Sequence, residues 1–273
     1  MNIKYCYILG AGKGTRMGEV GKKVPKVIFP LFEKTLLYSQ FVFAKELGIK
    51  NFFVNAHHLS DKVIDYVEKN KLNIKVIVEE ELLGSGGAIH NLIKKENLNE
   101  KILVINSDVF LFSKELKKRI LNNSSVEHQL FGVKFDEDQK YNSVAWKDDN
   151  KFDGITKNYT GYTFSGVSII NLAKINYEEG VLNFFEKVIK KENDNTEFVR
   201  LNQYEYWDFG TAEQYIHSCK SLLELKKGEL YNFLVRNNII NLFKVENGCY
   251  GNGSNLIELE QLTVTQKSIL LKH

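Results

Sequence analysis

A run of glycines set directly behind an apolar segment constrains this chain more than any other feature. Residues 3–9 read as a buried strand, which enters Leu9-Gly10-Ala11-Gly12-Lys13-Gly14-Thr15-Arg16-Met17-Gly18 without a linker. Glycines let a backbone come close to a bound group, and successive N–H groups then form a concavity suited to anions. Downstream, helical patterns over 35–47, after Ser60 and over 88–95 alternate with apolar runs over 51–55, 74–78 and 102–105. That alternation predicts an α/β fold with helical crossovers. Past residue 130 the period changes: 129–134, 142–147 and 163–170 read as antiparallel strands, followed by helices over 182–191 and 212–225. The pattern weakens after Lys227-Gly228, so a main domain over 1–226 and an extension over 227–273 are expected.

Composition excludes several classes. With 43% hydrophobic residues and only two prolines in 273, the chain can bury a core and is neither a Pro-rich linker nor a collagen-like repeat. Three widely spaced cysteines (Cys6, Cys219, Cys249) fit neither a disulfide framework nor a zinc ribbon, and read as reduced thiols of a cytoplasmic protein. The 37 basic and 34 acidic residues are spread along the chain, so no nucleic-acid partner is expected. No apolar run approaches the roughly 20 residues of a membrane span, so no membrane partner is expected either. The adjacent His57-His58 would point to opposite faces of a strand and read as packing residues.

The glycine loop fails two familiar phosphate-binding templates. A Walker A loop needs Gly-Lys-Ser/Thr, but Gly14 follows Lys13. A dinucleotide fingerprint counted from Gly10 puts Thr15 at its third glycine, and the second strand ends at Val54-Asn55-Ala56 without the required acid. A structural glycine turn is one alternative. The other is a loop followed, ten residues after Arg16, by Val24-Pro25-Lys26. On these residues the chain resembles the sugar-1-phosphate nucleotidyltransferases. The resemblance implies a Rossmann-like mixed sheet of the GT-A-like type, in a three-layer α/β/α arrangement. It assigns Leu9, Gly10, Ala11, Gly12, Gly14 and Thr15 to wrapping a nucleoside triphosphate, and Arg16 and Lys26 to its phosphates. Val27 stands where the family often has a proline.

Four further segments extend the resemblance to about residue 220. Glu81-Leu82-Leu83-Gly84-Ser85-Gly86-Gly87-Ala88 resembles the segment that packs beneath the base and sugar, small residues leaving room for a planar base. Glu81 matches an acid of the guanylyltransferase branch, where a carboxylate accepts from guanine N1–H and N2–H; the alternative is a solvated charge in the run Glu79-Glu80-Glu81. Asp108, in Asn106-Ser107-Asp108-Val109, and Asp208, in Trp207-Asp208-Phe209-Gly210-Thr211, resemble the family's two magnesium-binding aspartates. Gly87, Gly166 (in Ser165-Gly166-Val167) and Lys157 fall on the sugar-phosphate side, Lys157 without the flanking Glu and Pro of the family and with a surface lysine as the alternative.

The implied catalytic set is Arg16, Lys26 and Asp108, with Mg²⁺ on Asp108 and Asp208 as cofactor. The implied partners are an NTP and a sugar 1-phosphate. GTP with a mannose- or heptose-like phosphate is the first expectation, and UTP with an amino-sugar phosphate such as N-acetylmuramate 1-phosphate is the second. A non-catalytic sensor of nucleotide sugars is the alternative from another class. The turn-rich stretch from Asn247 to Gly253 reads as the start of a small β module or a homodimer contact.

Overall fold

The computed structural model describes residues 3–122, 125–139, 141–189 and 195–240, and the backbone of three short strands beyond them. Its centre is a parallel sheet. Strands β1 (Tyr5–Leu9), β2 (Asn51–Ala56), β3 (Lys75–Val78) and β4 (Lys101–Asn106) lie in the spatial order β3-β2-β1-β4, all parallel. Helices α1 (Leu36–Glu46), α2 (Ser60–Lys69) and α3 (Gly84–Glu96) connect them. The Thr35 hydroxyl accepts from Tyr38 N at 3.2 Å and so satisfies a donor at the start of α1. Gly48 ends that segment at φ +93°, where a side chain would be strained.

Alternation along the central strands makes the layers. Cys6 and Ile8 of β1 and Leu103 and Ile105 of β4 enter one apolar cluster, with residues of α1 and α2. Tyr7, Ile102 and Val104 point the other way, into a second cluster with Ala88, Ile89 and Leu92 of α3. Strands buried on both faces are apolar throughout, which is why these runs are continuous in the sequence.

The second half of the chain adds antiparallel pairing. After β5 (Val109–Phe112) and α4 (Lys114–Leu121), strands β6 (His128–Lys134), β7 (Ser143–Trp146) and β9 (Tyr162–Asn171) appear close to where they were expected, and β8 (Phe152–Thr156) is a strand the sequence did not announce. Strand β9 pairs antiparallel with both β4 and β6 and joins the two halves. Strand β10 (Thr196–Arg200) adds parallel to β6, and β11 (Glu205–Asp208) pairs with β5 as a separate ribbon. The mixed α/β sheet, with a mostly parallel centre, is the fold class expected from the sequence.

Helix α3 begins at Gly84, four residues before the expected 88. The helix expected over 182–191 is a single π-helical turn, Phe185–Ile189, and its end lies outside the described residues. Helix α5 (Ala212–Leu225) has the expected bounds. Helix α6 (Glu229–Arg236) follows it, past the boundary expected at 226, with Leu230, Phe233 and Leu234 fully buried in the same cluster as Phe43 and Phe110. Strands Lys244–Glu246, Cys249–Gly251 and Ile257–Glu258 form an antiparallel ladder, while residues 247–248 and 252–256, with part of the turn-rich stretch expected from the sequence, lie outside the described residues. Among the described residues, no helix is long and apolar enough to cross a membrane.

His128 on β6 is fully buried; its Nδ1 accepts from Asn171 N at 3.3 Å, and burial pushes its pKa down to about 4. The unfolded chain takes up this proton near pH 6.5 and the folded protein does not, so stability is present above that pH and is lost as pH falls toward 4. Urea unfolding is expected to show about 1–2 kcal/mol less stability at pH 5 than at pH 7 from this group. His128→Leu should flatten that part of the profile; an unchanged slope would show that His128 is not the group responsible.

Candidate active site

The carboxyl ends of the four parallel strands each deliver a residue to one cavity of about 380 Å³: Gly10 after β1, Asn55 of β2, Glu79 after β3 and Asn106 of β4. Ligand sites collect there in open α/β sheets because the chain leaves every strand at that edge. Gly10 needs its missing side chain, since a Cβ would lie 2.9 Å from Val27 Cγ2 and 3.0 Å from the Asn55 carbonyl oxygen. A buried relay fixes the loop that follows. Gly10 N donates to Asn55 Oδ1 (2.6 Å), Asn55 Nδ2 donates to Glu79 Oε1 (2.7 Å), and Leu83 N donates to Glu79 Oε2 (3.2 Å). Burial raises the Glu79 carboxyl above the ordinary value, and the Asn55 and Leu83 hydrogen bonds act against that shift.

Leu9, Gly10, Ala11, Gly12, Gly14, Thr15 and Arg16 all line this cavity, as do Lys26, Asp108, Gly84 and Ser85. Lys13, Asn55, Glu79 and Asn106 join them, none of which was singled out from the sequence. Three cations (Lys13, Arg16, Lys26) around a wall of glycine backbone suit a polyanion. The loop holds its shape through a backbone crossing: Met17 N donates to Gly14 O at 2.9 Å, and a Cβ on Gly21 would stand only 2.0 Å from that same oxygen.

Lys26 is almost fully buried, and its ammonium donates to Asp108 Oδ2 (2.5 Å) and to the Gly210 carbonyl (2.6 Å). It thereby ties the first loop to the turn after β4 and to the turn after β11. Asp208 is the last residue of β11, just before that turn. Its Oδ1 accepts from Gly210 N (2.6 Å), and its Oδ2 accepts from Tyr141 Oη (2.8 Å) and Gln214 Nε2 (3.0 Å). Burial raises the Asp208 carboxyl, the neighbouring Asp108 charge raises it further, and the Tyr141 and Gly210 hydrogen bonds and the Lys26 charge oppose the rise.

Asp108 and Asp208 interact, and no third acid, histidine or cysteine completes a cluster of metal-ligand type among the described residues. Two mutually repelling carboxylates beside a polyanion cradle fit Mg²⁺, which takes one or two protein carboxylates and completes its shell with phosphate oxygens and water.

Several expected residues have other surroundings. Glu81 is exposed and does not line the cavity; of the run Glu79-Glu80-Glu81, the acid that does is Glu79. Gly86 and Gly87 pack against chain from the second half of the protein rather than opening space for a base. Their N–H groups donate to Leu182 O (3.1 and 3.3 Å), and Cβ atoms there would meet Asn183 O at 2.6 Å and Gly180 O at 2.5 Å. Lys157 is exposed and lines none of the described cavities. Gly166, at φ +80° and with 2.7 Å between a built Cβ and Asn106 Nδ2, lines a second cavity of about 240 Å³. That cavity shares Leu9, Ser85 and Asn106 with the first and is walled by Phe164, Phe184 and Phe185. The missed residues Asn55, Glu79 and Asn106 carried one usable signal: each is a polar residue at the carboxyl end of an apolar strand run.

A parallel sheet whose strand ends build a cation-bearing, glycine-walled cavity defines a nucleotide-binding α/β protein. The chain belongs to the family described as the MobA-like NTP transferase domain, whose model matches residues 6–156. It is similar to a D-glycero-alpha-D-manno-heptose 1-phosphate guanylyltransferase of Campylobacter jejuni, with 33% identity over 121 residues, 44% of this chain and 53% of the relative. The matched region thus spans about half of that relative's length. A protein of the same name from Aneurinibacillus thermoaerophilus is 26% identical over 79% of this chain and 96% of its own. The crystal structure of HddC from Yersinia pseudotuberculosis superposes with a TM-score of 0.67, at 24% identity, over 81% of this chain and all of that one, and has the same fold.

Asn55→Ala removes the centre of the buried relay and strands both Gly10 N and the Glu79 carboxylate. A loss of about 2–3 kcal/mol is expected in urea unfolding. Calorimetry should show weakened triphosphate binding as well, because the loop loses its anchor.

Proposed function

We propose that the protein transfers a nucleoside monophosphate from an NTP to a sugar 1-phosphate and releases pyrophosphate, with GTP and a mannose- or heptose-like 1-phosphate as substrates. The observation that carries this reading is the meeting of Lys13, Arg16, Lys26 and Asp108 with a glycine-walled loop in one cavity of about 380 Å³. A phosphate oxygen of the acceptor, already anionic at neutral pH, attacks the α-phosphorus. The new P–O bond forms as the bond to the bridging oxygen breaks, and pyrophosphate leaves with that electron pair. No protein nucleophile or general base is required. The chain holds the triphosphate against fixed N–H groups and cations, where charge stabilisation supplies most of the rate. Asp108 and Asp208 would hold Mg²⁺, which when bound neutralises phosphate charge.

The preference for guanine rests on Glu79 rather than Glu81. Each Glu79 carboxylate oxygen already accepts one hydrogen bond and keeps capacity for another, which suits the paired N1–H and N2–H donors of guanine. The names of the Campylobacter and Aneurinibacillus relatives support the same reading. A second reading, UTP with an acetamido sugar phosphate, draws on the phenylalanine wall of the adjoining cavity, which suits an acetyl methyl.

A pyrophosphate-release assay across four triphosphates and a panel of sugar 1-phosphates decides between these readings, and silence on every pair would favour a non-catalytic sensor. On the best pair, Lys26→Ala and Asp108→Ala are each expected to lose at least about 10²-fold in rate. Near-normal turnover in either would overturn the assignment. Glu79→Gln should lower kcat/KM for GTP by about 10- to 100-fold, the worth of a charged hydrogen bond, with less effect on other triphosphates.

A further inference from the structure

Tyr141 sits on the connection between β6 and β7, in a stretch where the sequence signals no chemistry. Its hydroxyl donates to Asp208 Oδ2 at 2.8 Å and accepts from Gln214 Nε2 at 2.8 Å, while Gln214 Nε2 also reaches Asp208 Oδ2 at 3.0 Å. The ring packs edge-on against Phe135, with centroids 6.0 Å apart. It also lines a cleft of about 980 Å³ together with Asn142, Thr163, Phe164 and Phe185. That cleft shares Phe164, Asn183 and Phe185 with the cavity beside Gly166, which in turn shares Leu9, Ser85 and Asn106 with the phosphate cavity. One residue therefore lines the cleft and, through its hydroxyl, touches the second acid.

We propose that Tyr141 is a positioning residue that, with Gln214, fixes how Asp208 presents itself to a divalent cation. The proposal rests on the reading of Asp108 and Asp208 as the cation's protein ligands. A carboxylate offers about four lone-pair sites. Tyr141 and Gln214 occupy both of those on Oδ2 and Gly210 N one of those on Oδ1, so a single site on Oδ1 remains for the ion. Tyr141 thus confines Asp208 to one mode of ligation. Because Tyr141 also lines the cleft, filling the cleft and binding the cation act on the same residue. Linkage then requires each to change the affinity of the other by the same factor.

The test reads cation binding without turnover. Mn²⁺ is titrated into the protein with GTP and no acceptor, and free Mn²⁺ is followed by electron paramagnetic resonance. Tyr141→Phe keeps the ring and removes only the hydroxyl; it is expected to weaken Mn²⁺ binding about 10- to 100-fold, the range for partners that orient metal ligands, with an unchanged Tm. Tyr159→Phe is the control. Its hydroxyl donates to Phe135 O and touches neither aspartate, so its Mn²⁺ affinity should equal that of the wild type. Wild-type affinity in Tyr141→Phe, within about twofold, overturns the proposal and leaves the proposed function standing. Wild-type protein that binds no Mn²⁺ with GTP overturns both. If Tyr141→Phe loses its native circular dichroism, Gln214→Leu, which removes a donor to both Tyr141 and Asp208, decides in its place, and unchanged Mn²⁺ affinity there also overturns the proposal.

Discussion

The buried ammonium of Lys26 is the point on which the site depends. It joins Asp108 and the Gly210 carbonyl, so one charge pins together three turns that lie 82 and 184 residues away along the chain. A buried cation is costly unless it is paired and hydrogen-bonded, and here both partners belong to elements that carry the acids. The placement of Lys26 follows from Pro25, whose fixed φ sets the short turn Lys26–Ile28, and from Val27, which is fully buried under Gly10. The same ammonium lines the cavity of about 380 Å³ beside Lys13 and Arg16, so one contact both orders the fold and places a charge in the cavity wall.

A second constraint acts through uncharged groups. The Gly10–Asn55–Glu79 relay runs across the ends of three adjacent parallel strands and converts the sheet register into the position of a loop. Glu79 N still donates to Ala56 O at 2.8 Å, so the strand ladder continues one residue past β3 and holds the carboxylate on the cavity side. The second glycine window serves the packing of the two halves: Gly86 and Gly87 admit the backbone of 180–183 against the start of α3. The two halves of the protein thus meet along a seam that only glycines allow.

Elements were legible in the sequence where their cause is local. Apolar runs buried on both faces announced β1, β2 and β4, and helical patterns over 35–47 and 212–225 announced α1 and α5. The first glycine loop was legible for the same reason, since the freedom of Gly10 and Gly14 is a property of those residues. Helix α6 was not, because its apolar face becomes informative only against Phe43, Phe110 and Phe112, which come from far upstream.

By itself the sequence determined the α/β class and the alternation of strands and helices in its first half. It also located the anion-suited loop and, through a family resemblance, Asp108 and Asp208. The tertiary structure alone decided which acid faces the cavity, because Glu79 and Glu81 differ only in where the chain leaves the sheet. It decided that Asn55, rejected in the sequence as the wrong residue for a dinucleotide fold, carries the loop's anchor. It also decided that Tyr141 reaches Asp208 across 67 residues of intervening chain. The physical reason is common to all three. Side-chain direction at a strand end, and contact between distant segments, are fixed by packing and register, which no local pattern of residue types encodes.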